Sequence, residues 1–109
     1  MTGTPPDPPG RLIEVEVDDA PQVVERVVEI VNAQGLHARP VMKFVDLAAQ
    51  YTSSITVSKG DENVDGKSPM EMMLLEAAQG TRLRLLAAGP DAEELVAALG
   101  ELIAGGFGE

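Results

Sequence analysis

At 109 residues the chain is long enough for one compact domain with a modest core and too short for two. Its 18 acidic residues against 8 basic ones give a formal net charge of -10, which argues against unspecific binding to nucleic acid or an anionic membrane and leaves proteins or small molecules as partners. Cysteine is absent, and with it disulfides, thiolate metal sites and thiol nucleophiles.

Residues 1–22 hold five of the eight prolines and five acids against one base, Arg11, a composition that predicts a disordered acidic leader ahead of a folded domain at 23–109. Within the leader, Leu12, Ile13, Glu14, Val15, Glu16 and Val17 alternate in part and are the one place where an edge strand could be added. No basic-then-apolar export signal and no run near the roughly 18 apolar residues of a membrane helix is present, so a soluble cytoplasmic protein is expected.

The folded part opens on a β-branched run from Val24 to Asn32, with Val28 and Ile30 on one face and Glu29 on the other, which suits a half-buried strand. After Pro40 the period changes. Val41, Phe44, Val45, Ala48 and Ala49 recur at helical spacing, so a helix begins just past His37. Ile55 and Val57 restore alternation, and Lys59-Gly60-Asp61 turns that strand into a short partner around Val64.

Ser68-Pro69-Met70-Glu71 then predicts a second, short helix: a capping serine, a proline pre-set for the first helical position, and a glutamate placed to close a capping box. Gly80 offers it a left-handed stop. Thr81 to Leu86 has the cleanest period of two, with Leu83 and Leu85 inward and Arg82 and Arg84 outward. Asp91 and Glu94 suggest another capping box before Leu95, Val96, Leu99, Leu102 and Ile103, a helix that Gly105-Gly106 should fray. The order strand, helix, strand, strand, helix, strand, helix predicts an α+β fold, a two-layer sandwich of an antiparallel or mixed sheet with its helices packed on one face.

Chemistry concentrates at Gly35-Leu36-His37-Ala38-Arg39-Pro40, which holds the only histidine. A histidine at a helix start lies beside amides that have no partner within the helix and beside the positive end of the dipole. A phosphoryl group would be held there by the amides of Ala38 and Arg39 and by the Arg39 guanidinium, because Pro40 has no N–H to give. Phosphoryl transfer asks mainly for positioning and charge stabilisation, which these groups supply. No pair of carboxylates has metal-ligand spacing, so neither a metal nor a cofactor is expected.

That motif, followed by Phe44-Val45 and by Lys67-Ser68 before the Met-rich Met70, Met72 and Met73, resembles HPr, the histidine-containing phosphocarrier of the bacterial phosphotransferase system, over about residues 24 to 105. The resemblance implies the same element order, in a two-layer open-faced sandwich of a four-stranded antiparallel sheet with three helices on one face, and a cycle in which His37 accepts a phosphoryl group at Nδ1 from enzyme I and passes it to an enzyme IIA, with Arg39 as electrostatic partner. It implies a monomeric relay rather than a complete enzyme, serving either sugar uptake or a nitrogen-type regulatory branch. Met70, Met73 and Leu47 would form the docking patch, while at least one of the three methionines must fill the core. Ser68 matches a serine that an HPr kinase phosphorylates in some members, though the cap alone explains a serine there, and Pro69 and Glu71 depart from the common pattern. The other reading is a noncatalytic regulatory module that binds a transcription factor or metabolic enzyme through the methionine surface; the presence of His37 weighs against it.

Overall fold

The computed structural model describes residues 22–109. The predicted leader and the possible edge strand at residues 12–17 fall outside that range, up to residue 21. The order of elements is the one the periodicities predict: β1 (Gln22–Glu29), α1 (Ala38–Ala48), β2 (Ser54–Lys59), β3 (Glu62–Asp65), α2 (Pro69–Leu74), β4 (Arg82–Gly89) and α3 (Ala92–Ala104), closed by a 3-10 turn at Gly106–Gly108.

Every strand pairing is antiparallel and the sheet runs β1-β4-β2-β3, so the first and last strands in sequence lie side by side. Val28 sits opposite Leu83, and Ile55 opposite Ala87. Alternation along β4 buries Leu83, Leu85 and Ala87 and exposes Arg82 and Arg84, because successive side chains leave a strand on opposite faces. The buried face meets the apolar stripes of the helices: Val41, Phe44, Val45 and Ala48 from α1, Met72 from α2, and Leu95, Val96, Leu99 and Ile103 from α3. Both Phe44 and Phe107 are fully enclosed, which puts two of the chain's three aromatic residues in the core. On the other face Val23, Val27 and Leu86 are exposed, so the sandwich is open on one side.

Four local expectations need correction, each because a longer-range contact overrides a local signal. At α2 the Ser68 hydroxyl does accept the Glu71 amide, at 3.2 Å, but the Glu71 carboxylate accepts from the Asp65 amide instead of reaching back to Ser68. That helix stops at Glu76, which takes the left-handed backbone conformation (φ 49); Gly80 (φ 89) serves the turn into β4 instead, donating to the Ile30 carbonyl. Asp91 does not cap α3. Its carboxylate accepts the amides of Thr52 (2.9 Å) and Ser53 (2.8 Å) and the Ser53 hydroxyl, fastening the start of β2 to the start of α3. The Ser53 hydrogen bond leads the interactions that lower the Asp91 carboxyl to about 2. Finally, Gly105-Gly106 does not fray: the chain continues into the 3-10 turn, because burial of Phe107 holds it there.

Candidate active site

His37 occupies the N-cap of α1, in an extended backbone conformation (φ -92, ψ -169), and its side chain makes no capping hydrogen bond. Its carbonyl accepts the first helical bond, from Val41. The preceding loop is held from below. Gly35 has φ +70, and a Cβ there would lie 2.5 Å from the Ala77 carbonyl, the same oxygen that accepts the Leu36 amide at 2.8 Å. Only glycine meets both the left-handed backbone and the close approach, so the residue opening the six-residue motif sets where His37 begins.

Ala38 and Arg39 are exposed, and among the described residues neither amide donates to a backbone carbonyl. Two N–H groups at the start of α1 are therefore open to an anion. Arg39 lines the same cleft as His37 and enters no ion pair among the described residues. The three residues singled out in the sequence thus converge on one place.

Two further residues of the cleft were not legible as site residues. The His37 Nε2 lies 3.1 and 3.2 Å from the two carboxylate oxygens of Glu109, 72 positions away along the chain. Burial works to raise the Glu109 carboxyl, but hydrogen bonds from His37 and Asn32, then the charges of His37 and Arg39, outweigh it and leave the carboxyl below its ordinary value. The Asn32 Nδ2 group donates to Glu109 at 3.1 Å and to the Gly35 carbonyl at 2.7 Å. These two acceptors fix the amide of a nearly buried side chain, at the expense of its Oδ1, which has no partner among the described residues.

Glu109 reaches the ring because the chain is anchored two residues earlier. Phe107 is buried, and its carbonyl accepts from the Lys43 ammonium of α1. The signal that could have found this is the apolar Phe107 itself, a large aromatic after two glycines in a chain with few aromatics. The imidazole side chain is 35% exposed and the Glu109 side chain 19%, so the ring is held at one nitrogen and still reachable from solvent.

A family model described as "PTS HPr component phosphorylation site" matches residues 24–105. The chain belongs to the HPr family. It is 45% identical over 87 residues to the phosphocarrier protein HPr of Neisseria meningitidis, covering 80% of this chain and 98% of that one. Within a multiphosphoryl transfer protein of Haemophilus influenzae it matches 20% of that protein's length with 86% of its own, at 39% identity. Among solved structures it is similar to HPr-C-His from Thermoanaerobacter tengcongensis, with a TM-score of 0.77, 44% identity and coverage of 79% of this chain and 97% of that one. The fold is thus the HPr fold and the role that of a phosphocarrier of the phosphotransferase system; the regulatory-module alternative is not favoured.

None of the other residues picked out by resemblance to HPr lines the His37 cleft. Ser68 is half-buried at the start of α2, with its hydroxyl engaged by the Glu71 amide. Lys67 points elsewhere, donating to the Tyr51 carbonyl at 2.7 Å. The methionines divide as their spacing requires: Met72 is fully buried, while Met70 and Met73 are exposed, and Leu47 is half-buried. Leu74 and Met42, both exposed, enlarge the apolar surface of α1 and α2 beyond the residues named from sequence. Among the described residues no helix is long and apolar enough to cross a membrane.

Proposed function

We propose that His37 is the residue phosphorylated in the relay, with Nδ1 as the nucleophile, enzyme I as the donor and an enzyme IIA as the acceptor. The observation that carries this reading is the contact between Nε2 and the Glu109 carboxylate. A carboxylate only accepts, so in the neutral ring Nε2 carries the hydrogen and Nδ1 the lone pair.

Transfer then runs as an in-line displacement. The Nδ1 lone pair forms the bond to phosphorus as the donor's own bond to phosphorus breaks, and the donor keeps that electron pair. Positive charge develops on the His37 ring and is delocalised to Nε2–H, where Glu109 faces it. The phosphoryl oxygens meet the amides of Ala38 and Arg39 and the Arg39 guanidinium. The reverse displacement, onto the acceptor, needs no further group.

The protein works as a cytoplasmic monomer that docks through Leu47, Met70 and Met73, flexible apolar side chains suited to meeting several partners in turn. Ser68 is the candidate for a second modification, by an HPr kinase. Its phosphate would gain from the helix start and lose from the neighbouring Glu71 carboxylate. Incubation with ATP and such a kinase measures it: label on the chain that disappears in Ser68→Ala assigns regulation, and no label leaves Ser68 as a cap alone.

The test of the main reading is incubation with phosphoenolpyruvate and enzyme I. An acid-labile phosphoryl group is expected on the chain and absent from His37→Ala; phosphorylation of that variant would remove His37 from the relay.

A further inference from the structure

Asn32 follows β1 in a stretch fastened to the sheet, where the Ile30 amide donates to the Thr81 carbonyl and the Ile30 carbonyl accepts the Gly80 amide. The residue is 7% exposed, and its Oδ1 has no partner among the described residues. Packing alone gives that carboxamide no use: a leucine, branched at the same carbon, would fill the space and leave no orphan acceptor. What the side chain contributes is its N–H donors, and both are engaged, one on the Gly35 carbonyl and the other on Oε1 of Glu109.

The two bonds differ in what depends on them. The Gly35 carbonyl also accepts the His37 amide at 3.0 Å, the Gly35 amide donates to the Asn32 carbonyl at 3.1 Å, and the Leu36 amide donates to Ala77. The main chain under the imidazole therefore keeps its shape without the Asn32 side chain. Glu109 has less support. Its side chain is long and rotates freely, and besides the imidazole only Asn32 donates to its carboxylate among the described residues.

We propose, on the function assigned to His37 above, that Asn32 is a positioning residue for the relay: seated on the Gly35 carbonyl, it aims its second N–H at Oε1 of Glu109 and keeps that carboxylate at Nε2 of His37. Oε1 takes the Asn32 N–H at 3.1 Å and the ring nitrogen at 3.2 Å, so one oxygen joins the residue that aims to the ring that is aimed at. The donor is neutral. A lysine or arginine in its place would neutralise the carboxylate and weaken its attraction for the cationic ring that forms during transfer, whereas asparagine orients the charge and leaves it intact.

Two measurements on the full chain test this together: the ring 15N shifts of His37, and the rate of its phosphorylation by phosphoenolpyruvate and enzyme I. In Asn32→Leu the two ring nitrogens are expected to move toward each other, as the tautomer with hydrogen on Nδ1 gains population, and transfer to slow a few-fold, no further than in Glu109→Gln. With both substitutions in one chain no additional slowing is expected, because Asn32 acts through Glu109. Should Asn32→Leu fail to fold, Asn32→Asp decides: it keeps the shape, removes both donors and sets a second carboxylate against Glu109, so the same two changes are expected. Ring shifts and rates like those of the unsubstituted chain would overturn the proposal and leave the relay standing. So would slowing that adds in full to that of Glu109→Gln, which would assign Asn32 to the loop instead. If enzyme I places no phosphate on His37 in the unsubstituted chain, the relay itself fails and takes the proposal with it.

Discussion

At the start of α2 the Ser68 hydroxyl accepts the Glu71 amide and Pro69 removes one donor, so little is left for an outside anion. At the start of α1 the residue in the same position is His37, which caps nothing and turns its ring toward the tail of the chain, while Ala38 and Arg39 keep open amides. The two helix starts differ in whether the N-cap side chain closes the helix or leaves it open. A serine there stabilises the fold. A histidine there gives up that stabilisation and, on the function proposed above, gains a site for the phosphoryl group.

Substitutions at these two starts should therefore separate stability from transfer. The largest effect is expected from His37→Ala, which should abolish the acid-labile phosphate while leaving the unfolding midpoint nearly unchanged. Next, Arg39→Ala should slow transfer by ~10²-fold, the scale of removing one group that meets developing charge, again with little effect on folding. An unaltered rate would take Arg39 out of the site. Glu109→Gln keeps an acceptor but loses the charge, and should slow transfer by only a few-fold, as for an ion pair near the surface.

At the other start the pattern should invert. Ser68→Ala should cost about 1 kcal/mol of stability, measured by denaturant unfolding, and leave phosphorylation of His37 unchanged. A smaller, pH-confined effect is expected at Asp91, whose carboxyl is lowered from 3.8 to about 2. A carboxyl depressed in the folded state stabilises above its unfolded value and ceases to as pH falls through its folded one. Asp91→Asn should therefore flatten the loss of stability between those two values, and an unchanged acid limb would contradict the role given to the Ser53 and Thr52 contacts.

Much of this was legible in the sequence because it is written in short periods. Leu83 and Leu85 against Arg82 and Arg84 specify both a strand and its inward face, and Val41, Phe44, Val45 and Ala48 do the same for α1. His37 and Arg39 stand at a change of period, which marks a helix start without any tertiary information. What escaped was set by distance along the chain. Asp91 has the sequence of a cap, but its carboxylate meets better donors on the loop before β2, 38 and 39 residues back. Gly105-Gly106 has the sequence of a frayed end until the burial of Phe107 is counted, and with it the delivery of Glu109 to the imidazole. Local pattern located the proposed nucleophile, whereas the groups that contact its ring came from the fold.

The central claim is that Glu109 holds Nε2–H and so leaves Nδ1 to take the phosphoryl group. It is tested most directly by NMR of the protein with ring nitrogens of His37 labelled with 15N, phosphorylated by phosphoenolpyruvate and enzyme I. Phosphorus coupling to Nδ1, with a proton retained on Nε2, is the result predicted; coupling to Nε2, or phosphate on any residue other than His37, would contradict the account.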